Sequence, residues 1–273
     1  MDVWAKLFGY QGNIYSDLAI ALLILARLLG MLSLAPFLGG KLVPNQVKVA
    51  TAMAFSLLLF PVVQSGLAKQ VPDLGPIFGV YVVKEVFVGI TIGFVASLPF
   101  QALETAGQFL DAARGSSIAS VLVPQLEESG PIFAQLKVQL GIVLFLAMNG
   151  HHFFIRGVFQ SFSILPVDTF PSLGGDMTTF LDFLIRVTAN VLVAGMQIVI
   201  PALIAIFMVD VVLGIANRAA PQLNVYFLGM PIKGYVGIVM ALLALGYFTA
   251  VAGRLFQRML KDLEYMIYLM GKS

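Results

Sequence analysis

Long apolar runs dominate the chain, separated by short stretches that carry polar side chains, glycines and prolines. Six runs stand out: Leu18–Phe37, Val47–Val63, Ile77–Phe100, Ile132–Ile155, Phe180–Val212 and Ile232–Ala252. Each is near or above the ~20 residues that a bilayer-spanning helix needs, the second being the shortest. The fifth is too long for one straight span, and Pro201 within it predicts a kink. The pattern predicts an all-α membrane protein with about six long hydrophobic segments, forming a single integral-membrane domain over residues 1–273.

Composition narrows the function. Of 273 residues, 59% are hydrophobic and 11% charged, where soluble domains carry about 25% charged. Mean hydropathy is +0.95, which leaves no soluble domain large enough to fold alone. A net charge of +2 is too small to suggest nucleic acid, and the absence of cysteine excludes disulfides and thiolate chemistry. The opening MDVWAKLFGYQGNIYSD lacks the basic, apolar and small-residue regions of a signal peptide, so retention of the N-terminus is expected. Lys6, Lys69, Arg156, Arg254, Arg258, Lys261 and Lys272 fall on one side of the predicted topology, against Lys41, Lys48, Arg114 and Arg218 on the other. That bias favours a cytoplasmic C-terminus.

The polar residues inside apolar runs carry most of the information. Arg27 lies mid-segment, at a cost of about 3 kcal/mol on insertion scales, so it should face protein or water. A structural ion pair with a carboxylate on a neighbouring helix is the simplest solution. Lys84 and Glu85 are adjacent and diverge by about 100° on a helix, so each should find another partner. Gly89 and Gly93 are spaced for close helix packing. Ser97, Gln101, Glu104, Gln108 and Asp111 fall in a stripe roughly 80° wide. Such a stripe suits an aqueous path, a buried polar contact between subunits or a wetted interfacial face. Its carboxylates, about 10 Å apart along the axis, are too distant for joint acid–base work.

From Ala112 to Gly130 the apolar period disappears and Pro124 excludes a regular helix, so this stretch reads as a functional or mobile loop. His151 and His152 diverge on a helix and lack the spaced Cys or carboxylates that would complete a metal site. The tail sets Leu255, Met259, Leu263 and Met266 opposite Arg254, Arg258 and Lys261. Such a helix suits either an anionic leaflet or the cap of a protein assembly. Hydrolase, metalloprotease and phosphate-loop signatures are missing, so no catalytic, cofactor or metal site is expected.

The most distinctive stretch is Leu213–Gly234, LGIANRAAPQLNVYFLGMPIKG. Pro221 and Pro231 interrupt it, and Asn217, Arg218, Gln222, Asn224 and Lys233 crowd around the interruptions. Broken backbone at membrane depth survives only against protein or water. Asp210 continues the same polar edge and is a candidate partner for Arg27 or Arg218. Ala35-Pro36 followed by Pro44 loosely echoes this interruption.

The run Arg218-Ala219-Ala220-Pro221-Gln222-Leu223-Asn224-Val225, with Met230-Pro231-Ile232-Lys233, closely resembles the signature of the FliR/SctT family. These are membrane components of the type III protein export gate in flagella and injectisomes. The resemblance implies an inner-membrane subunit at the base of a type III secretion system, in a helical, cone-shaped assembly whose hydrophobic segments bend into hairpins. Its implied partners are the FliP/SctR-like and FliQ/SctS-like gate proteins, the FlhB/SctU-like switch protein, membrane lipid and secreted proteins in transit, with no nucleic acid.

It also implies a channel plug at Gly115, Ser116, Ser117, Ile118, Ala119, Ser120, Val121, Leu122, Val123, Pro124 and Gln125. Signature and subunit contacts would fall at Arg27, Pro36, Pro44, Asp210, Arg218, Pro221, Gln222, Asn224, Pro231 and Lys233. The run from Leu146 to His151 resembles the flagellar branch. Val83-Lys84-Glu85, Ala35–Gly39 and Met230–Lys233 lean towards the injectisome, which is the branch favoured. The competing reading is a secondary transporter for a small solute, which would require matched broken helices in two halves.

Overall fold

A computed structural model describes residues 14–39, 43–67, 76–115, 131–171, 177–222 and 224–271. Among them the regular elements are α1 (Ile14–Leu34), α2 (Pro36–Gly39), α3 (Asn45–Ser65), α4 (Pro76–Ala113), α5 (Ile132–Ala147), α6 (Gly150–Ile164), α7 (Met177–Ala219), α8 (Val225–Leu243) and α9 (Leu245–Gly271). All are helical. Of these, α1, α3, α4 and α7 are long and apolar enough to cross a membrane, and the pairs α5–α6 and α8–α9 each qualify as a broken span.

Local chemistry explains the breaks. Asn149 adopts a left-handed backbone with φ 58° between α5 and α6, a conformation that asparagine tolerates better than most residues. Gly150 follows because a Cβ there would strike the Phe145 ring. The sixth apolar run starts earlier than expected, at Val225, and is split at Ala244 with a bend of 61°. Across Pro201, α7 stays one 43-residue helix. Proline lacks the N–H that would bond the carbonyl four residues back, and Tyr247 Oη donates to that Gln197 carbonyl instead, at 3.2 Å.

The chain divides into two compact units. The first comprises Met1–Ser97, Phe153–Phe183 and Leu260–Ser273. Within it α1 packs along α3 and meets α4 through small residues. A Cβ at Gly89 would land on the Arg27 carbonyl, and one at Gly30 would lie 2.9 Å from the Val86 carbonyl oxygen. Gly93 faces Met31 in the same way. The expected close packing is therefore internal to this chain. Leu23, Ile24, Met31 and Ile92 are fully buried around the contact.

The second unit comprises Leu98–His152 and Leu184–Met259. Phe100, Phe145 and Phe256 form a triangle with centroids 5.2 to 5.6 Å apart. Gly107 lets α4 lie directly on the Ala134 backbone. In the apolar stripe of α9, Phe256 and Met259 belong to this unit and Leu263, Met266 and Met270 to the first, and all five are buried. That leaves little of it for a lipid leaflet.

Candidate functional site

At the end of α7 the Ala220 N–H still reaches the Ala216 carbonyl, at 2.9 Å. Pro221 has no N–H to continue the ladder and disfavours helical geometry in the residue before it, so the helix stops there. Pro221 and Gln222 form an exposed turn, and Asn224 begins α8. Its carbonyl accepts the Phe227 and Leu228 N–H groups at 3.1 and 3.3 Å, while its side chain makes no cap bond. Arg218 sits exposed in the last turn of α7, where a cation suits the negative end of the helix dipole. Pro231 lies inside α8, and two residues on Lys233 reaches back to Asp210 of α7 in an ion pair.

This overturns the partners expected for Asp210, since neither Arg27 nor Arg218 meets it. A lysine facing it from the next helix is nearer than either arginine. The echo near the N-terminus is structural too. Pro36 opens α2 directly after the break at Ala35, and the Pro44 carbonyl accepts the first N–H groups of α3 at 3.0 and 3.3 Å. Proline suits both places because its missing N–H would be unpaired there anyway.

The polar stripe of α4 divides. Gln101, Glu104 and Gln108 are exposed, whereas Ser97 and Asp111 are buried. Asp111 Oδ2 accepts the N–H groups of Phe133 and Ala134 at 2.9 and 3.2 Å. These belong to the donors that every helix leaves unpaired at its N-terminus, and Pro131 supplies no capping side chain for α5. A carboxylate from α4 fills that role. The expectation of one continuous stripe through Asp111 is thus corrected: helical angle alone does not reveal which polar residue a neighbouring helix start will claim. Arg114 follows, with Cζ 4.5 Å from the Phe133 ring centroid and Nη1 3.8 Å from Asp111 Oδ1. Gly115 then takes φ 80°, a value natural to glycine. The residues expected to form the plug beyond it, Ser116 to Gln125, lie outside the described residues.

A third cluster is wholly buried. Arg27 grips Glu85 in a two-pronged pair, Nε to Oε2 at 2.5 Å and Nη2 to Oε1 at 3.1 Å. Its remaining N–H groups donate to the carbonyls of Ser161 at 3.0 Å and Leu165 at 2.8 Å, and Phe162 covers its face. Lys84 Nζ lies 2.6 Å from Glu85 Oε1 and donates to the Val167 and Thr169 carbonyls. The predicted carboxylate partner of Arg27 exists, and it is Glu85. Lys84 and Glu85 each find the further partner expected of them, and they also pair with each other, because the long lysine stem bridges the angle between them. Arg27 is fully buried among partners of its own chain. The accepting carbonyls left no trace in the sequence, since every residue carries one.

None of the three clusters pairs a nucleophile with a base. Comparison with known proteins decides among the remaining classes. The family described as Bacterial export proteins, family 1, matches residues 18–259. The chain belongs to the FliR/SctT family of type III export gate proteins. It is similar to the flagellar biosynthetic protein FliR of Bacillus subtilis, 26% identical over 253 residues, covering 92% of this chain and 96% of the relative. FliR of Escherichia coli is 31% identical over 217 residues, 78% of this chain and 79% of the relative. Yop proteins translocation protein T of Yersinia pestis is 34% identical over 154 residues, 56% and 58% of the two chains. As a FliR/SctT member the chain is a subunit of the type III export apparatus, and the family is structural, not enzymatic.

Proposed function

We propose that this chain helps form the inner-membrane channel through which unfolded proteins leave the cell, as a structural and gating subunit of a hetero-oligomeric export gate. The observation that carries the reading is the exposed turn at Pro221 and Gln222, set between two apolar helices. Lipid cannot solvate its free backbone groups, so partner subunits and water must cover it. FliP/SctR-like, FliQ/SctS-like and FlhB/SctU-like proteins fit as those partners. Conduction through this chain is passive, with energy supplied elsewhere in the apparatus.

Gly115 to Gln125 obstructs the lumen at rest in this reading. Asp111 supports it, because it ties the end of α4 to the start of α5 and gives the intervening stretch one fixed base. The exposed row Gln101, Glu104 and Gln108 suits a wet wall. Arg218, Gln222 and Asn224 present their polar groups to partners. Deleting residues 116–125 should make the membrane leaky to ions, and unchanged conductance would remove the plug. Arg218→Ala should abolish complex recovery or export, and full export by that variant would remove its structural role.

Val83-Lys84-Glu85, Ala35–Gly39 and Met230–Lys233 favour an injectisome, and with it a role in virulence. A flagellar reading draws support from Asn149-Gly150-His151 and from alignments that reach 92% of the chain. A deletion strain separates the two: loss of effector secretion with intact motility marks the injectisome, and the converse marks the flagellum.

A further inference from the structure

Arg114 stands at the joint between α4 and α5, yet its partners extend to a third helix. Its guanidinium stacks on Phe133, at the start of α5, with Cζ 4.5 Å from the ring centroid. Its aliphatic stem lies on α8, where a Cβ added at Gly237 would come within 2.6 Å of Arg114 Cδ and 3.0 Å of Nε. A Cβ at Gly234, one turn earlier, would lie 3.8 Å from Nη2. Glycine at 237 thus leaves room for an arginine that any larger residue would displace. These are the turns of α8 that directly follow Met230-Pro231-Ile232-Lys233.

The same guanidinium is poorly satisfied. Its ion pair with Asp111 is long, at 3.8 Å and beyond hydrogen-bond range, and the other oxygen of Asp111 serves two α5 N–H groups. Arg114 Nε is buried and has no hydrogen-bond partner. A buried donor left unpaired is destabilising. Arg114 is therefore held mainly by shape, between an aromatic face and a glycine-lined helix, with a long ion pair to Asp111 beside it.

We propose that Arg114 is a positioning residue that couples α8 to the α4–α5 joint, so that movement of the signature helix shifts the base from which residue 115 departs. The proposal deepens the export-gate reading and rests on it for any effect on conduction. The mechanical coupling can be tested separately.

The chain contains no cysteine, so single cysteines at the exposed Leu136 on α5 and Val239 on α8 can carry spin labels without background. Distances between them would be measured in the assembled export complex for Gly237→Ala, Arg114→Ala and the double variant. Each single change should broaden or shift the distance distribution. Adding Gly237→Ala to Arg114→Ala should change nothing further, because the clash needs the arginine stem. Unaltered distances in both single variants, or effects that simply add, would overturn the coupling. Should Arg114→Ala prevent assembly, Arg114→Ser replaces it, which likewise removes the stem that meets residue 237 while keeping a polar side chain, and the same non-additivity is required. Ion leak is recorded alongside, with the 116–125 deletion as reference. A silent deletion strikes at the plug, whereas unchanged distances strike at Arg114.

Discussion

Glu85 neutralises two buried cations at once, so its loss would strand two charges together. Breaking a buried ion pair by removing one partner costs about 3–5 kcal/mol, because the other charge stays behind without compensation. Glu85→Gln strands both Arg27 and Lys84, whereas Lys84→Met removes a cation and leaves the Arg27 pair intact. Unfolding of the purified complex should therefore show a larger loss for Glu85→Gln than for Lys84→Met. The opposite order would mean that the cluster is held by the carbonyls of residues 161–169 and not by charge. Tyr247 offers a second test at this scale. Tyr247→Phe removes the hydroxyl donor from the Gln197 carbonyl, a loss of about 0.5–1.5 kcal/mol for one hydrogen bond. Combined with Pro201→Ala, which returns an N–H to that carbonyl, the same change should be nearly silent. Persistent cost in the double variant would assign Tyr247 some other role.

At the scale of helices, the chain is a set of long rods whose ends are fixed by a few polar contacts. Asp210 and Lys233 join α7 to α8 across the signature break. Reversing either charge should lower recovery of the assembled complex, and exchanging both should restore it. If the exchange fails, each residue serves a separate partner. Asp111→Ala should unpin the start of α5 at about the 0.5–2 kcal/mol typical of a lost N-cap, read as lower thermal stability. These contacts show what the sequence could and could not disclose. Apolar run length marked the helices, and Pro221 marked the break, because both depend on near neighbours. Arg27 announced that it needed a carboxylate, since an arginine in an apolar run has few alternatives. It did not name Glu85, which lies 58 residues away. Asp111 looked like one member of a wet stripe because its true ligands are backbone N–H groups, present at every residue. The break at Ala244 has no proline or polar residue to mark it.

Across the whole molecule, the apolar surface and the polar break make opposite demands on the surroundings. Leu57, Tyr235 and Leu243 are at least 74% exposed, and α7 presents Ile185, Val212 and Ile215 outward as well. Fatty-acyl chains or apolar partner helices would cover these equally well. Pro221, Gln222 and Asn224 are exposed within the same region of chain, and acyl chains cannot cover them without leaving backbone groups unpaired. Only a partner that offers hydrogen bonds, or trapped water, satisfies both. Because the chain lacks cysteine, a lone cysteine at Gln222 reports on that cover. In the chain expressed without partner gate proteins, a polar maleimide should label it readily. In the assembled gate, labelling should slow strongly, while a control cysteine at the exposed Arg156 reacts alike in both. A solute transporter that works alone would show no such protection. Equal reactivity at 222 in the two preparations would leave the break uncovered and deprive the export-gate reading of its main support.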